Sequence, residues 1–194
     1  MKKKAPLLAF ALVLAACGVE PELYLLPPPV EAPRAAPPAS TIAVAEIGLP
    51  TYADTVEIAF LAPTGMVAVD RDSLWADTPR RALTRHLVAA LDLRLRARVA
   101  AEPWHEFESP GLRIEVVVDR MIGGTSEEMP LNFAGQYLVV SPNTGRLVTS
   151  DRFDITLFPG EGGYQPLIDA HARAIEVLAD EIAASISRLS SGLI

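Results

Sequence analysis

Three histidines, one cysteine and 24 acidic residues are the main stock from which this chain of 194 residues could assemble a nucleophile, an acid–base pair or a metal centre. The histidines are His86, His105 and His171, and no two stand at the i, i+4 spacing that puts both rings on one helical turn around a metal. His86 and His171 fall near the apolar stripes of two predicted helices, the usual setting of a core or boundary histidine, and His105 lies in a predicted loop beside Trp104. Asp70-Arg71-Asp72 offers two carboxylates to calcium but lacks the other ligands of an ion-binding loop. Gly123-Gly124 and Gly160-Glu161-Gly162-Gly163 lack the lysine and the strand-to-helix setting of a phosphate loop, and Glu161 would repel the anion. No Gly-x-Ser-x-Gly elbow occurs. A hydrolase would have to draw on scattered acids such as Asp119, Asp151 and Asp154, and strand alternation sets Asp151 on the same face as Phe153. The expected set of catalytic and metal-binding residues is therefore empty, and the chain is expected not to be an enzyme.

The cysteine, Cys17, stands where chemistry of another kind is expected. Ahead of it come Lys2, Lys3 and Lys4 and then an uncharged run from Ala5 to Ala16, the basic and apolar parts of an export signal. Twelve residues rising about 1.5 Å each span about 18 Å, short of the roughly 30 Å hydrocarbon core, so the segment addresses the chain and does not span a membrane. A disulfide within the chain is excluded, because there is no second cysteine. The run Leu14-Ala15-Ala16-Cys17 resembles the bacterial lipobox, which implies transfer of a diacylglyceryl group to the Cys17 thiol, cleavage before Cys17 and acylation of the new amino group, with fatty acids such as palmitate. More than one acyl chain suits stable anchoring, since a single chain holds a bilayer only marginally. Gly18 follows where the well-studied sorting rule would favour aspartate for inner-membrane retention, so the resemblance implies the outer membrane and its periplasmic face.

The elements that must position these residues are legible in composition and period. Residues 1–16 read as a lipoprotein signal peptide, 17–39 as a lipidated proline-rich tether and 40–194 as a single periplasmic α+β domain. Prolines 21, 27, 28, 29, 33, 37 and 38 block helix and central strand in the tether. Within it, Leu23-Tyr24-Leu25-Leu26-Pro27 is apolar enough either to collapse locally onto the domain or to act as a docking strand. Loss of the three lysines lowers the 17 basic residues to 14 against 24 acidic, a mature charge of −10 that disfavours nucleic acid and anionic headgroups.

Ile42 and Val44 begin a strand that Pro50 ends, and Thr55 to Ala62 and Met66 to Val69 read as a hairpin around Gly65. Leu83, Leu87, Leu91 and Leu95 predict a helix over 79–96 behind Pro79, with Asp77 or Thr78 as its cap. Arg80, Arg81, Arg85, Arg94 and Arg96 lie on its other faces, where they are either solvated or meet an acidic partner. Residues 97–111 read as a connection and Leu112 to Ile122 as a strand. Leu131 to Val139 alternates strictly, turns at Pro142 to Gly145 and returns through Leu157. A long stripe from Ile168 to Leu189 predicts a closing helix over 165–189. The expected fold is α+β, a two-layer, mainly antiparallel sheet with two amphipathic helices on one face.

In order and spacing, the motif at 14–17, Tyr24-Leu25-Leu26-Pro27, Ile42 to Tyr52, Leu74-Trp75-Ala76-Asp77 and Leu178 to Ile182 resemble the PqiC-like, ABC-type transport auxiliary lipoproteins. Thr51-Tyr52-Ala53-Asp54 departs from the tyrosine, leucine and acidic residue usual in that family, and Thr78 stands where it tends to have a hydrophobic residue. The resemblance implies a non-enzymatic auxiliary subunit of a membrane-integrity system, docking on a tunnel-forming partner with mammalian-cell-entry (MCE) domains and helping lipids pass between two membranes. It implies no cofactor beyond the lipid on Cys17, and it leaves room for a homo-oligomer. Tyr24, Tyr52 and Trp75 are the expected partner-binding residues, with a core cap over the first helix as the other reading of Trp75. A lipid-binding periplasmic chaperone with its own acyl cavity is the alternative function, and it predicts lipid co-purifying with the domain.

Overall fold

The computed structural model describes residues 20–105 and 109–189, so Cys17 and the signal segment lie outside the described residues. Strands β1 (Glu22–Tyr24), β2 (Thr41–Val44), β3 (Glu57–Leu61) and β4 (Val67–Trp75) precede helix α1 (Pro79–Arg94). Strands β5 (Arg98–Ala101), β6 (Leu112–Ile122), β7 (Leu131–Ser141) and β8 (Arg146–Leu157) then lead to helix α2 (Tyr164–Ser187). They form a five-stranded sheet of order β5-β2-β6-β7-β8 and a three-stranded sheet of order β1-β4-β3.

The expected α+β class holds, built from two mixed sheets. β6, β7 and β8 form the antiparallel meander that their alternation predicts, whereas β2 runs parallel to both of its neighbours, β5 and β6. The chain leaves β2 and returns to β5 only after the β3–β4 hairpin and α1, the long crossover that a parallel pair requires. β5 lies inside what reads in sequence as a connection, because four residues are too few to show a period.

One apolar core joins the sheet to both helices. Leu112, Ile114, Val116 and Val118 from β6 and Leu131, Phe133, Tyr137 and Val139 from β7 meet Leu83, Leu87 and Leu91 of α1 and Ile168, Ile175, Leu178 and Ile182 of α2. The opposite face of these strands carries Arg113, Glu115, Gln136 and Arg152. At Gly135 the strands approach so closely that a Cβ would collide with the Val117 carbonyl and the Phe153 ring.

The ends of α1 depart from expectation in informative ways. Pro79 occupies the first turn, but the Thr78 side chain makes no capping bond, and Asp77 accepts instead from the Thr78 amide at 2.7 Å and from Arg81. At the other end Arg34 donates to the carbonyls of Asp92 (2.8 Å) and Leu95 (2.9 Å), while the Ala35 amide donates to the Arg94 carbonyl (2.8 Å). A guanidinium there satisfies orphan carbonyls and complements the negative end of the helix dipole.

The segment read as a proline-rich tether, whose stretch from Leu23 to Pro27 is expected either to collapse onto the domain or to act as a docking strand, is laid along the domain from Glu22 onward. β1 pairs with β4 in parallel, Glu22 opposite Ser73, Leu23 opposite Leu74 and Tyr24 opposite Trp75. Proline density blocks regular structure but not docking, and Leu23-Tyr24-Leu25-Leu26 pairs or packs wherever its backbone can find a partner.

Candidate interaction surface

Tyr24 and Trp75, two of the three aromatic residues expected to meet a partner, are brought side by side by the β1–β4 register. Their environments differ. Trp75 is 5% exposed and stands edge-on to His171 of α2 at 5.4 Å, so its ring belongs to the core. The core reading of this residue predicts a cap over the first helix; the ring is in the core but its edge contact is with the second, and in this conformation the indole is removed from direct contact with another molecule. Tyr24 is half-buried, its ring edge-on to Tyr164 at 6.1 Å and its hydroxyl donating to Glu22 at 2.5 Å. Phe60 packs on the same Tyr164 ring at 5.7 Å, so three aromatic rings tie β1, β3 and the start of α2 together. Burial, followed by donation to Asp70, pushes the Tyr164 hydroxyl well above its ordinary range.

Tyr52 is set apart from this cluster. It sits in a 3-10 turn (Thr51–Ala53), half-buried, and its hydroxyl accepts the Met121 amide of β6 at 3.0 Å. That bond supplies a partner to a strand amide beside the β6 bulge, a structural use of the phenol.

The histidines are also structural. His171 is fully buried, and its Nδ1 donates to the Leu167 carbonyl one turn earlier at 2.7 Å. Burial pulls its pKa down to about 4. His86 faces α2, its Nε2 3.6 Å from Glu176; burial lowers its pKa, with Glu176 pulling the other way. Arg94, 5% exposed, completes this contact between the helices by pairing with Asp180 at 2.7 Å and reaching Glu176 at 4.0 Å. The arginine face read from sequence is thus divided: Arg94 is buried between helices, Arg80 pairs with Asp54, and Arg81 pairs with Asp77. His105 is exposed in its loop.

The acids considered for hydrolysis do not converge. Asp119 pairs with Arg152 at 3.0 Å on the open face of the sheet, whereas Asp151 shares the helix-side face with Phe153 and lies across from Glu181. Burial first, and Asp151 second, raise the Glu181 pKa. Asp70 bonds the Asp72 amide at 2.8 Å, and no cluster of three potential metal ligands occurs among the described residues. Surface hollows are lined by charged groups, among them Arg34 and Asp92 in one and Arg152 and Glu181 in another.

What sequence reasoning missed is the helix–helix network and the aromatic cluster around Tyr164. The first had a signal: His86 and Arg94 lie two turns apart on α1, and Glu176 and Asp180 one turn apart on α2, which sets opposite charges in facing rows. The second had none, since Phe60 and Tyr164 meet only through tertiary folding.

The model of the family described as "ABC-type transport auxiliary lipoprotein component" matches residues 24–183. No curated protein matches the chain. Among solved structures, an uncharacterised protein superposes with a TM-score of 0.70 at 20% identity, covering 86% of this chain and 99% of its own. A DUF330-family protein of Xanthomonas campestris gives 0.69 at 14% identity, covering 85% and 94%. PelC of Paraburkholderia phytofirmans, solved as a dodecamer, gives 0.50 at 12% identity, covering 82% and 95%. At these identities the structural matches carry the fold alone.

Proposed function

The chain belongs to the family of ABC-type transport auxiliary lipoproteins, and from that premise we propose that it is an outer-membrane-anchored periplasmic scaffold for lipid movement between two membranes. In this reading Cys17 carries the acyl anchor, and the folded domain docks on a tunnel-forming partner with MCE domains. Lipid in transit must be screened from water by a continuous conduit. A domain already tethered to one membrane can seat the end of that conduit through a modest interface, because its effective concentration there is high.

The observation that carries the reading is the family match across 24–183, nearly the whole described chain. It is supported by the commitment of side chains that could do chemistry to structural tasks: His171 to a helix carbonyl, His86 and Arg94 to the contact between helices, Asp119 to Arg152. The proposed role has no catalytic step and no cofactor. Tyr24, half-buried at the edge of the small sheet, stays among the proposed contacts, and Tyr52 is second to it. Self-association of several copies around the conduit is part of the proposal, PelC offering a dodecameric precedent on a related fold.

Cross-linking in cells followed by capture of the acylated protein tests this. An MCE-domain partner among the products is the expected result. Its absence under conditions that retain other envelope complexes would overturn the docking role, and stoichiometric lipid on the purified, deacylated protein would favour the chaperone.

A further inference from the structure

The β3–β4 hairpin ends in a tip of unusual composition. From Ile58 to Val69 the chain carries no charge, and at the turn Pro63, Thr64, Gly65 and Met66 are all exposed. Met66 is 66% exposed, Val67 49% and Val69 50%. The turn is well formed: the Ala62 amide donates to the Met66 carbonyl at 2.9 Å, and Gly65 takes the positive φ of +80° that the reversal needs. The hairpin is braced from behind by the Leu61 amide, which donates to the Gly123 carbonyl at 2.8 Å, while the side chains at its turn face outward. Apolar surface projecting into water without a folding role calls for an occupant.

The direction of β1 supplies one. Because β1 is parallel to β4, the chain preceding Glu22 enters the small sheet from the same end at which β4 begins, which is the hairpin tip. Four residues lie between Cys17 and Glu22, so five peptide steps set a reach of at most about 18 Å. Laid off along β4 from Ser73, the partner of Glu22, that reach ends level with Ala68. A Cys17 within that distance of Glu22 is within reach of the end of the small sheet that carries the apolar tip.

We propose that the β3–β4 tip, centred on Met66 and Val67, is a second membrane contact that dips into the headgroup–acyl boundary of the bilayer holding the lipid anchor. The inference rests on acylation of Cys17. It adds that the domain lies directly on the bilayer in one orientation, with the hairpin tip toward the membrane and the end of β6 close behind it, where the Leu61 amide donates to the Gly123 carbonyl at 2.8 Å. Four acids, Glu20, Glu22, Asp70 and Asp72, flank the contact against one cation, Arg71, so a zwitterionic surface suits it better than an anionic one. Interfacial segments of this kind enter by about 5–10 Å and need no membrane span.

The test uses the acylated protein in phosphatidylcholine vesicles. Acylation blocks Cys17, so Met66→Cys and, as control, Leu147→Cys on β8 each supply a single thiol for an environment-sensitive fluorophore. Vesicles containing doxyl-labelled phosphatidylcholine are expected to dim the probe at 66 about twofold and leave the probe at 147 unchanged, as interfacial insertion of the tip requires. Equal brightness at 66 with and without quencher, in protein that floats with the vesicles, overturns the tip contact and leaves the anchor standing. A blue-shifted but unquenched probe at 66 also overturns it, placing the tip against a second copy or another protein. Protein that fails to float overturns the anchor and the tip contact together.

Discussion

At the scale of single residues, the chain spends its titratable groups on folding. His171 is neutral when folded because burial lowers its pKa from the ordinary 6.5 to about 4, and His86 is shifted in the same direction. The unfolded chain therefore binds more protons below about pH 6.5, and stability present above that value is lost as pH falls toward 4. For His171 alone the loss amounts to about 3 kcal/mol. Urea midpoints measured from pH 7.5 to 4.5 are expected to fall steadily, and His171→Leu to flatten much of that slope. Arg94 and Arg81 provide a contrast at the same scale. Arg94→Ala leaves Glu176 facing α1 with its charge uncompensated, and about 3 kcal/mol is the expected cost. Arg81, on an exposed pair with Asp77, is expected to cost under about 1 kcal/mol on the same substitution. Equal denaturation midpoints for the two variants would contradict this account.

At the scale of elements, strong periodicity and short elements fared differently in sequence. The Leu83 to Leu95 spacing, the stripe from Ile168 onward and the alternation from Leu131 to Val139 each imposed one solution, since a single face had to be buried. β5 and β1 have four and three residues, and their existence depends on backbone partners elsewhere in the chain, Ile42 for Val99 and Trp75 for Tyr24. The strap from Glu22 to Ala39 shows the same limit, because its docking hangs on Arg34 meeting helix carbonyls about sixty residues later. Arg34→Ala is expected to lower stability by about 1 kcal/mol, the scale of a lost helix cap. Hydrogen exchange at the Ala35 and Arg96 amides, which pair across this junction, is expected to speed up in the variant. Unchanged exchange at both amides would show that the strap holds without the guanidinium.

At the scale of the whole molecule, the sequence could name Tyr24, Tyr52 and Trp75 but not the surroundings that the fold gives each of them. Tyr24 and Trp75 lie side by side in the small sheet and Tyr52 in a separate turn, and tertiary packing drew Trp75 inward against His171 and engaged Tyr52 with Met121. Burial is a property of the assembled molecule, and neither residue carries it in its neighbours along the chain. The uncharged hairpin tip was visible as composition, yet its orientation relative to the N-terminus emerges only from the parallel pairing of β1.

The late partners of the N-terminal strap also set an order of events. Glu22 to Tyr24 has nothing to pair with until β4 has been added to the chain, and Arg34 finds no helix end until Leu95 has followed. The strap from Glu22 to Ala39 is therefore among the last parts of the domain to seat, although it is among the first to be made.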